Sequence, residues 1–590
     1  TVSTINFLFH LLLSRMGSVQ ARPEAVPCNV RARTEAGWVC GLARWAEDGA
    51  VYASFRGVPY AKQPLGELRF KELEPLEPWD HIYDARHEGP ACEQTDVVYG
   101  RIMQPQGHSE ACIHANIHVP IAALPGVQQR LVRELQVPHQ AGFDDRDAAE
   151  PTEHKGLPIV VFVHGGGFMC GSGDADLQGP EYLVSKQAIV ITFNYRLNVY
   201  GFLSLNSAEI PGNQGLRDMV TLLRWVQRNA RSFGGDPDNV TLMGQSAGAV
   251  AAHLLTLSKA TEGLYKRAFL MSGTAMSTFI STSPAFAQYI SSLFLSMVNI
   301  NSTDTKEIHR RLIELPAEKL NEANRILLDT FGLSTFTPTV ESAFPGVTRV
   351  LDDDPEVLIN KGRGKDVPIV MGFTNAECQV FRPRLEQIDI ASKISNNPVI
   401  SVPASIIYKT LPDSLPALVK KIDSKYYNGS FTVDNFIDFC TEAYYQYPAM
   451  KMAEIRSSQK GAPFFLYEFG YDGSHSVLRK AFDLTYVGAA HIEDLTYMFR
   501  VNSMIGTHDS FPPRERDDYV KDWMTMFLTN FMRCSSPVCS DIESWPAVSS
   551  RHVEYQLVTG PEYRRRNLTN HQQDIVQFFD SLTPKTTTTT

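Results

Sequence analysis

The sequence predicts an α/β fold: a mostly parallel central sheet flanked by helices, with helical insertions over the face that carries the candidate site. Three observations point to it. Apolar runs of strand length recur at 158–163, 188–193, 240–243, 367–372 and 463–469. Patterns of helical period lie between them, as at 219–229, and strands that alternate with helices build parallel sheets. Each run ends in, or leads to, a loop of unusual chemistry, and ligands of such sheets bind beyond the carboxyl ends of the strands.

Taken in order, the chain opens with an apolar core at 5–13, too short to span a bilayer. It reads as the h-region of a signal peptide, with Val19-Gln20-Ala21 as a cleavage site, although Asn6 and His10 interrupt the run and no basic n-region precedes it. The expected organisation is a leader over 1–21, one catalytic domain over 22–580 and a polar tail over 581–590. No later segment is apolar enough to span, and the terminal threonines carry no lipid-anchor signal, so no membrane anchor is expected. A net charge of −10 without a basic block argues against nucleic acid and anionic membrane surfaces.

Nine cysteines occur, none in a C-x-x-C pair and none clustered with histidine, so no metal site is expected and at least one thiol stays outside any intrachain bridge. Cys534 and Cys539 could pair or stay free. Sequons at Asn301, Asn428 and Asn567 are glycosylation candidates that fit a secreted chain; a fourth, at Asn239, runs into a strand and is expected to be less accessible.

The run at 158–163 feeds His164-Gly165-Gly166-Gly167-Phe168. With no side chains in the way, backbone N–H groups there can turn towards one point, which a developing oxyanion requires. The run at 188–193 feeds Asn194-Tyr195-Arg196. The run at 240–243 feeds Gly244-Gln245-Ser246-Ala247-Gly248, followed by an apolar helical stretch. Strand, G-x-S-x-G and helix is the context of a nucleophile elbow, where the N–H of Ala247 adds another donor. A serine hydroxyl is a weak nucleophile near neutral pH and needs a base and an orienter for that base. Among sixteen histidines, His491 in Gly488-Ala489-Ala490-His491 lies downstream of a carboxylate, Glu377, that itself follows a strand, giving the order Ser…acid…His. Each also reads as an ordinary loop residue, and His253 reads as a helix histidine.

The ordered set Arg69-Phe70, Cys92, Glu110-Ala111-Cys112, 164–168, 194–196, 233–237, the elbow, the Glu377 loop and the loop 488–494 resembles the carboxylesterase/cholinesterase family over nearly the whole chain. The resemblance implies an α/β-hydrolase fold, Ser246 as nucleophile, His491 as base and acid, and Glu377 as its orienter. It implies Gly166, Gly167 and Ala247 as oxyanion donors, a Cys92–Cys112 disulfide and an Arg69–Glu110 ion pair, with no cofactor and no obligate protein partner. Asp218-Met219 and Ala111 with Ile113 depart from the family pattern at positions that bear on packing and ion pairs. Gln245, where most members carry Glu, together with 373–378 and 534–539, is similar to one insect branch; its long apolar terpenoid methyl ester is then the expected substrate. The alternatives are a general esterase, a silent adhesion protein of the same fold and a hormone carrier.

Cholinesterases of the family hold a quaternary ammonium on a tryptophan between the first two bridged cysteines. Here 93–111 contains no Trp and one aromatic, Tyr99. The stretch at about 277–366 reads as an insertion over the site, with Phe279, Phe286, Phe294, Phe331, Phe336 and Phe344 available to line an apolar tunnel.

Overall fold

The computed structural model describes residues 28–103, 105–127, 156–331, 335–473, 476–505, 515–539, 545–549, 553–560 and 563–582. The leader at 1–21 lies outside them, as does most of the tail. Among the described residues, eleven strands form the main sheet: β1 (Leu42–Trp45), β2 (Val51–Pro59), β3 (His114–Pro120), β4 (Leu157–Val163), β5 (Ile189–Phe193), β6 (Gly235–Gln245), β7 (Arg267–Met271), β8 (Ile369–Thr374), β9 (Phe464–Phe469), β10 (Glu554–Val558) and β11 (Tyr563–Asn567). Their spatial order is β11-β10-β9-β8-β7-β6-β4-β5-β3-β2-β1. From β5 to β10 every pairing is parallel; the antiparallel pairings are confined to the two margins.

The central strands read as continuous apolar runs because both faces are covered. Ile159, Val160, Val161, Phe162 and Val163 are all buried. Two helices matter most for the site. α1 (Gln214–Asn229) turns Leu216, Val220 and Leu223 into the core at helical spacing. α2 (Ala247–Leu257) is entirely buried and apolar but for His253 and Thr256, as suits a helix against the middle of a sheet. The edge strand β11 carries Arg564, Arg565 and Arg566, exposed charges that discourage pairing with another chain.

Ion pairs tie the loops to this frame. Arg196 meets Asp218 of α1 at 2.6 Å with both side chains buried, so the aspartate of the departing Asp218-Met219 pair holds the 194–196 loop. Arg69 and Glu110 pair bidentately, Nε to Oε2 at 2.6 Å. Disulfides join Cys28–Cys40, Cys92–Cys112, Cys378–Cys440 and Cys534–Cys539, leaving Cys170 free and buried.

The cover over the strand ends extends beyond the stretch singled out in the sequence. The insertion 277–366 supplies helices Pro284–Met297 and Ala317–Phe331. A second segment supplies more of the cover: Arg382–Gln387, Ile390–Asn396, Ala404–Ile407, Val433–Cys440 and a π-helical turn, Thr441–Gln446. Pro383, Pro398, Pro403, Pro412 and Pro416 cut much of this second segment into short pieces, which hides any helical period from a sequence window. Among the described residues, no helix is long and apolar enough to cross a membrane.

Candidate active site

Strand β6 ends at Gln245 and α2 begins at Ala247, so Ser246 is the whole turn. Its backbone sits at φ 56° and ψ −128°, a strained conformation for a residue with a side chain. The flanking glycines make the turn possible. A Cβ on Gly244 would lie 2.3 Å from the Gly248 carbonyl oxygen, and one on Gly248 would lie 2.1 Å from that of Val163. The Ser246 N–H donates to the Met271 carbonyl at 2.8 Å, locking the turn to β7. Ala247, the first residue of α2, holds one of the N–H groups a helix leaves without an internal acceptor.

The glycine loop follows β4. Gly166 and Gly167 adopt φ of 104° and 64°, and the Gly166 carbonyl accepts from the N–H groups of Met169 and Cys170. A Cβ on Gly166 would lie 2.0 Å from the Cys170 oxygen, so the loop cannot take this path with a side chain there. His164 supports the loop from behind. It stacks on Tyr195 at 4.3 Å between centroids, its Nδ1 lies 2.8 Å from the Gly165 carbonyl, and Tyr195 donates its hydroxyl to the His164 carbonyl at 2.9 Å. Burial lowers the His164 pKa to about 4, so it is a neutral brace.

The loops after β8 and β9 are joined backbone to backbone: Ala376 N–H donates to Ala489 O at 2.9 Å, and His491 N–H to Glu377 O at 3.1 Å. This sets the side chains together. Glu377 is fully buried, and its Oε2 lies 2.6 Å from His491 Nδ1 while its Oε1 accepts the Thr374 N–H at 2.7 Å. On the other side of the ring, the Gln245 amide nitrogen lies 3.1 Å from Nε2. Tyr445 and Phe381 flank the imidazole, at 4.8 and 5.7 Å between centroids.

The two other acids nearby are engaged elsewhere. Glu493 accepts from the Ala490 N–H at 2.6 Å, and Asp494 accepts from the Tyr467 hydroxyl at 2.8 Å. Burial first, and the Glu377 carboxylate second, push the Asp494 carboxyl up to about 7. His253 is buried against Thr274 and the Ala275 N–H, and desolvation drives it down to about 3; it is a packing residue. Among the described residues, no three histidine, cysteine or acidic groups could hold a metal ion.

Ser246, His491, Gly166 and Gly167 line one cavity of about 340 Å³. Exposure falls from 40% at Phe331, Ile400 and Tyr408 to 6% at Ser246 and 2% at His491, so the mouth and the floor are distinct. Of the phenylalanines singled out in 277–366, Phe279, Phe286 and Phe331 line the cavity. Phe294 and Phe336 instead pack edge to face on each other in the core, at 5.6 Å, and Phe344 is not a lining residue. The second covering segment supplies most of the remaining wall, including Phe381, Leu385, Ile407, Phe436 and Tyr445. Tyr99 lines it from the loop between Cys92 and Cys112. Sequence reasoning missed the second segment and the contact of Gln245 with His491.

A serine on such a turn, with a glycine loop beside it and an imidazole held by a carboxylate, is equipped for acyl transfer, and the sheet that carries it is the α/β-hydrolase fold. The chain belongs to the carboxylesterase family, whose model matches residues 29–576, and is a carboxylic ester hydrolase. It is 54% identical over 562 residues to juvenile hormone esterase of Heliothis virescens, covering 94% of this chain and 95% of that one. It is 27% identical over 551 residues to juvenile hormone esterase of Tribolium castaneum, covering 90% and 87%. The crystal structure of juvenile hormone esterase from Manduca sexta, with OTFP covalently attached, superposes with a TM-score of 0.87 at 57% identity, over 94% of this chain and 99% of that one.

Proposed function

We propose that the protein is a secreted serine carboxylesterase that hydrolyses the methyl ester of an insect juvenile hormone. The observation that carries this reading is the cavity: apolar along its walls, open at one end, and floored by Ser246 and His491. The likeness to the Heliothis and Manduca enzymes supports the same substrate.

In this reading Ser246 Oγ attacks the ester carbonyl while His491 Nε2 takes its proton. Glu377, on Nδ1, fixes the tautomer and stabilises the imidazolium that forms. The carbonyl oxygen becomes an oxyanion held by the N–H groups of Gly166, Gly167 and Ala247. Collapse of the tetrahedral intermediate breaks the ester C–O bond, and the imidazolium protonates the departing methoxide to methanol. Water, deprotonated by His491, then releases the carboxylic acid and restores Ser246. The acyl chain lies along the apolar walls, where burial contributes ~0.8 kcal/mol per CH₂.

One domain does this work. Asn301, Asn428 and Asn567 are exposed and open to glycosylation, and four disulfides suit an oxidising compartment.

A fluorophosphonate probe tests the chemistry: it labels Ser246 once, and Ser246→Ala abolishes both labelling and turnover. Steady-state kinetics test the substrate. KM for juvenile hormone lies far below that for short-chain naphthyl esters, and acetylcholine is turned over negligibly. A KM that does not fall as the acyl chain lengthens leaves only a general carboxylesterase.

A further inference from the structure

We propose that Gln245 is a positioning residue for His491: its amide nitrogen holds the resting imidazole in the neutral tautomer that can accept the Ser246 proton. The inference rests on the reading of His491 as the base.

Two separate contacts place the amide. Gln245 is 1% exposed at the last position of β6, and its nitrogen lies 3.1 Å from His491 Nε2. Its oxygen lies against the glycine loop: a Cβ on Gly165 would come within 2.7 Å of it. Gly165 therefore does something other than offer a donor; it leaves room for the amide. The side chain is clamped between the glycine loop and the imidazole.

The chemistry then separates Gln from Glu. Glu377 accepts the proton on Nδ1, so Nε2 of the neutral ring carries only a lone pair. Only a donor can meet it, and an amide nitrogen is one. An ionised carboxylate at 245 has nothing to donate, and could bond Nε2 only if the ring took a second proton. It would thereby stabilise the imidazolium, the form that cannot act as a base. In the wild type the amide yields Nε2 as Ser246 hands over its proton.

No other acid contests this. Around His491 the ionisable groups are Glu377 on the loop after β8, Glu493 and Asp494 on its own loop, Tyr467 on β9 and Tyr445 above. Glu493 is bound by the Ala490 N–H with Arg479 nearby, and Asp494 is bound by Tyr467. Burial keeps Tyr445 and Tyr467 as neutral phenols. Among the described residues, Glu377 alone of the acids bonds the ring.

The test is the pH profile of kcat/KM on a soluble naphthyl ester for wild type, Gln245→Glu and Gln245→Met, with melting temperatures taken alongside. In Q245E the acid limb moves up by about 1 pH unit or more. In Q245M, which keeps the volume but neither donates nor accepts, kcat falls about tenfold or more with KM little changed. A folded Q245E whose acid limb stays in place overturns the proposal, as does a Q245M with wild-type kcat; if Q245E does not fold, Q245M decides. His491→Gln separates the two readings. Turnover that survives it removes His491 as the base, whereas its loss beside an unmoved Q245E limb removes only the role of Gln245.

Discussion

Glu377→Gln isolates the charge of the proposed acid, and the structure fixes how the new amide must sit. The two oxygens of Glu377 have different partners: Oε1 accepts the Thr374 N–H at 2.7 Å and Oε2 faces His491 Nδ1 at 2.6 Å. In the variant the amide oxygen has to stay on Thr374, because a backbone N–H cannot accept. The NH₂ therefore points at Nδ1 and donates to it. The ring answers with its other tautomer, bearing its proton on Nε2, and that nitrogen can no longer take the proton of Ser246. Glu377 is fully buried, so neither water nor salt substitutes for the lost charge. Neutralising the acid of a comparable triad costs about 10⁴-fold in rate, or about 5.5 kcal/mol at 1.36 kcal/mol per decade. Steady-state kinetics on juvenile hormone should show the fall in kcat, with KM and melting temperature close to wild type. A loss under about tenfold would refute the tautomer argument and move the acid to Glu493 or Asp494.

Other substitutions address the walls and the core. Phe279→Ala removes a lining ring that stacks on Tyr445 at 5.8 Å; KM for long-chain esters should rise about tenfold while kcat for short esters holds. Phe336→Ala, in the core beside Phe294 rather than on the cavity, should instead lower stability by about 3–5 kcal/mol in denaturant melts and leave KM alone. Asp494, raised to about 7 from an ordinary 3.8, binds a proton in the fold that the unfolded chain has lost, so its contribution favours the fold in acid and fades as pH rises from about 4 through about 7. Asp494→Asn should therefore gain stability relative to wild type at pH 8 more than at pH 4.5; a difference that does not vary with pH would contradict the assignment.

What could be read from the sequence follows from how local its causes are. The elbow is legible because its constraint is steric and falls within five residues: a Cβ on Gly244 or Gly248 would lie 2.3 or 2.1 Å from a carbonyl oxygen, so no other residue fits. The parallel sheet is legible because strands buried on both faces read as unbroken apolar runs. The pairing of His491 with Glu377 is not local at all. It depends on β8 and β9 lying side by side, and the residues alone left both as ordinary loop positions until the family pattern was laid over them. The second covering segment escaped because proline cuts it into short pieces. The Cys378–Cys440 and Cys28–Cys40 bridges escaped because spacing does not determine connectivity. Gln245 was noticed as a departure, but nothing in the string of residues says that its amide reaches an imidazole 246 positions away.

The adjacency of β8 and β9 also has a consequence in time. Glu377 and His491 stand 114 residues apart, and Gln245 stands 246 residues from His491. The loops that carry them come together only when β6, β7, β8 and β9 have docked in register. Non-local parallel pairing is the slow part of assembling a chain. Helical signal in a refolding experiment therefore returns before turnover does, and the lag between them is a clock for closure of the sheet. In the proposed mechanism esterase activity reports the finished molecule, because a chain that has made its helices and paired its margins has not yet brought Ser246, Glu377 and His491 together.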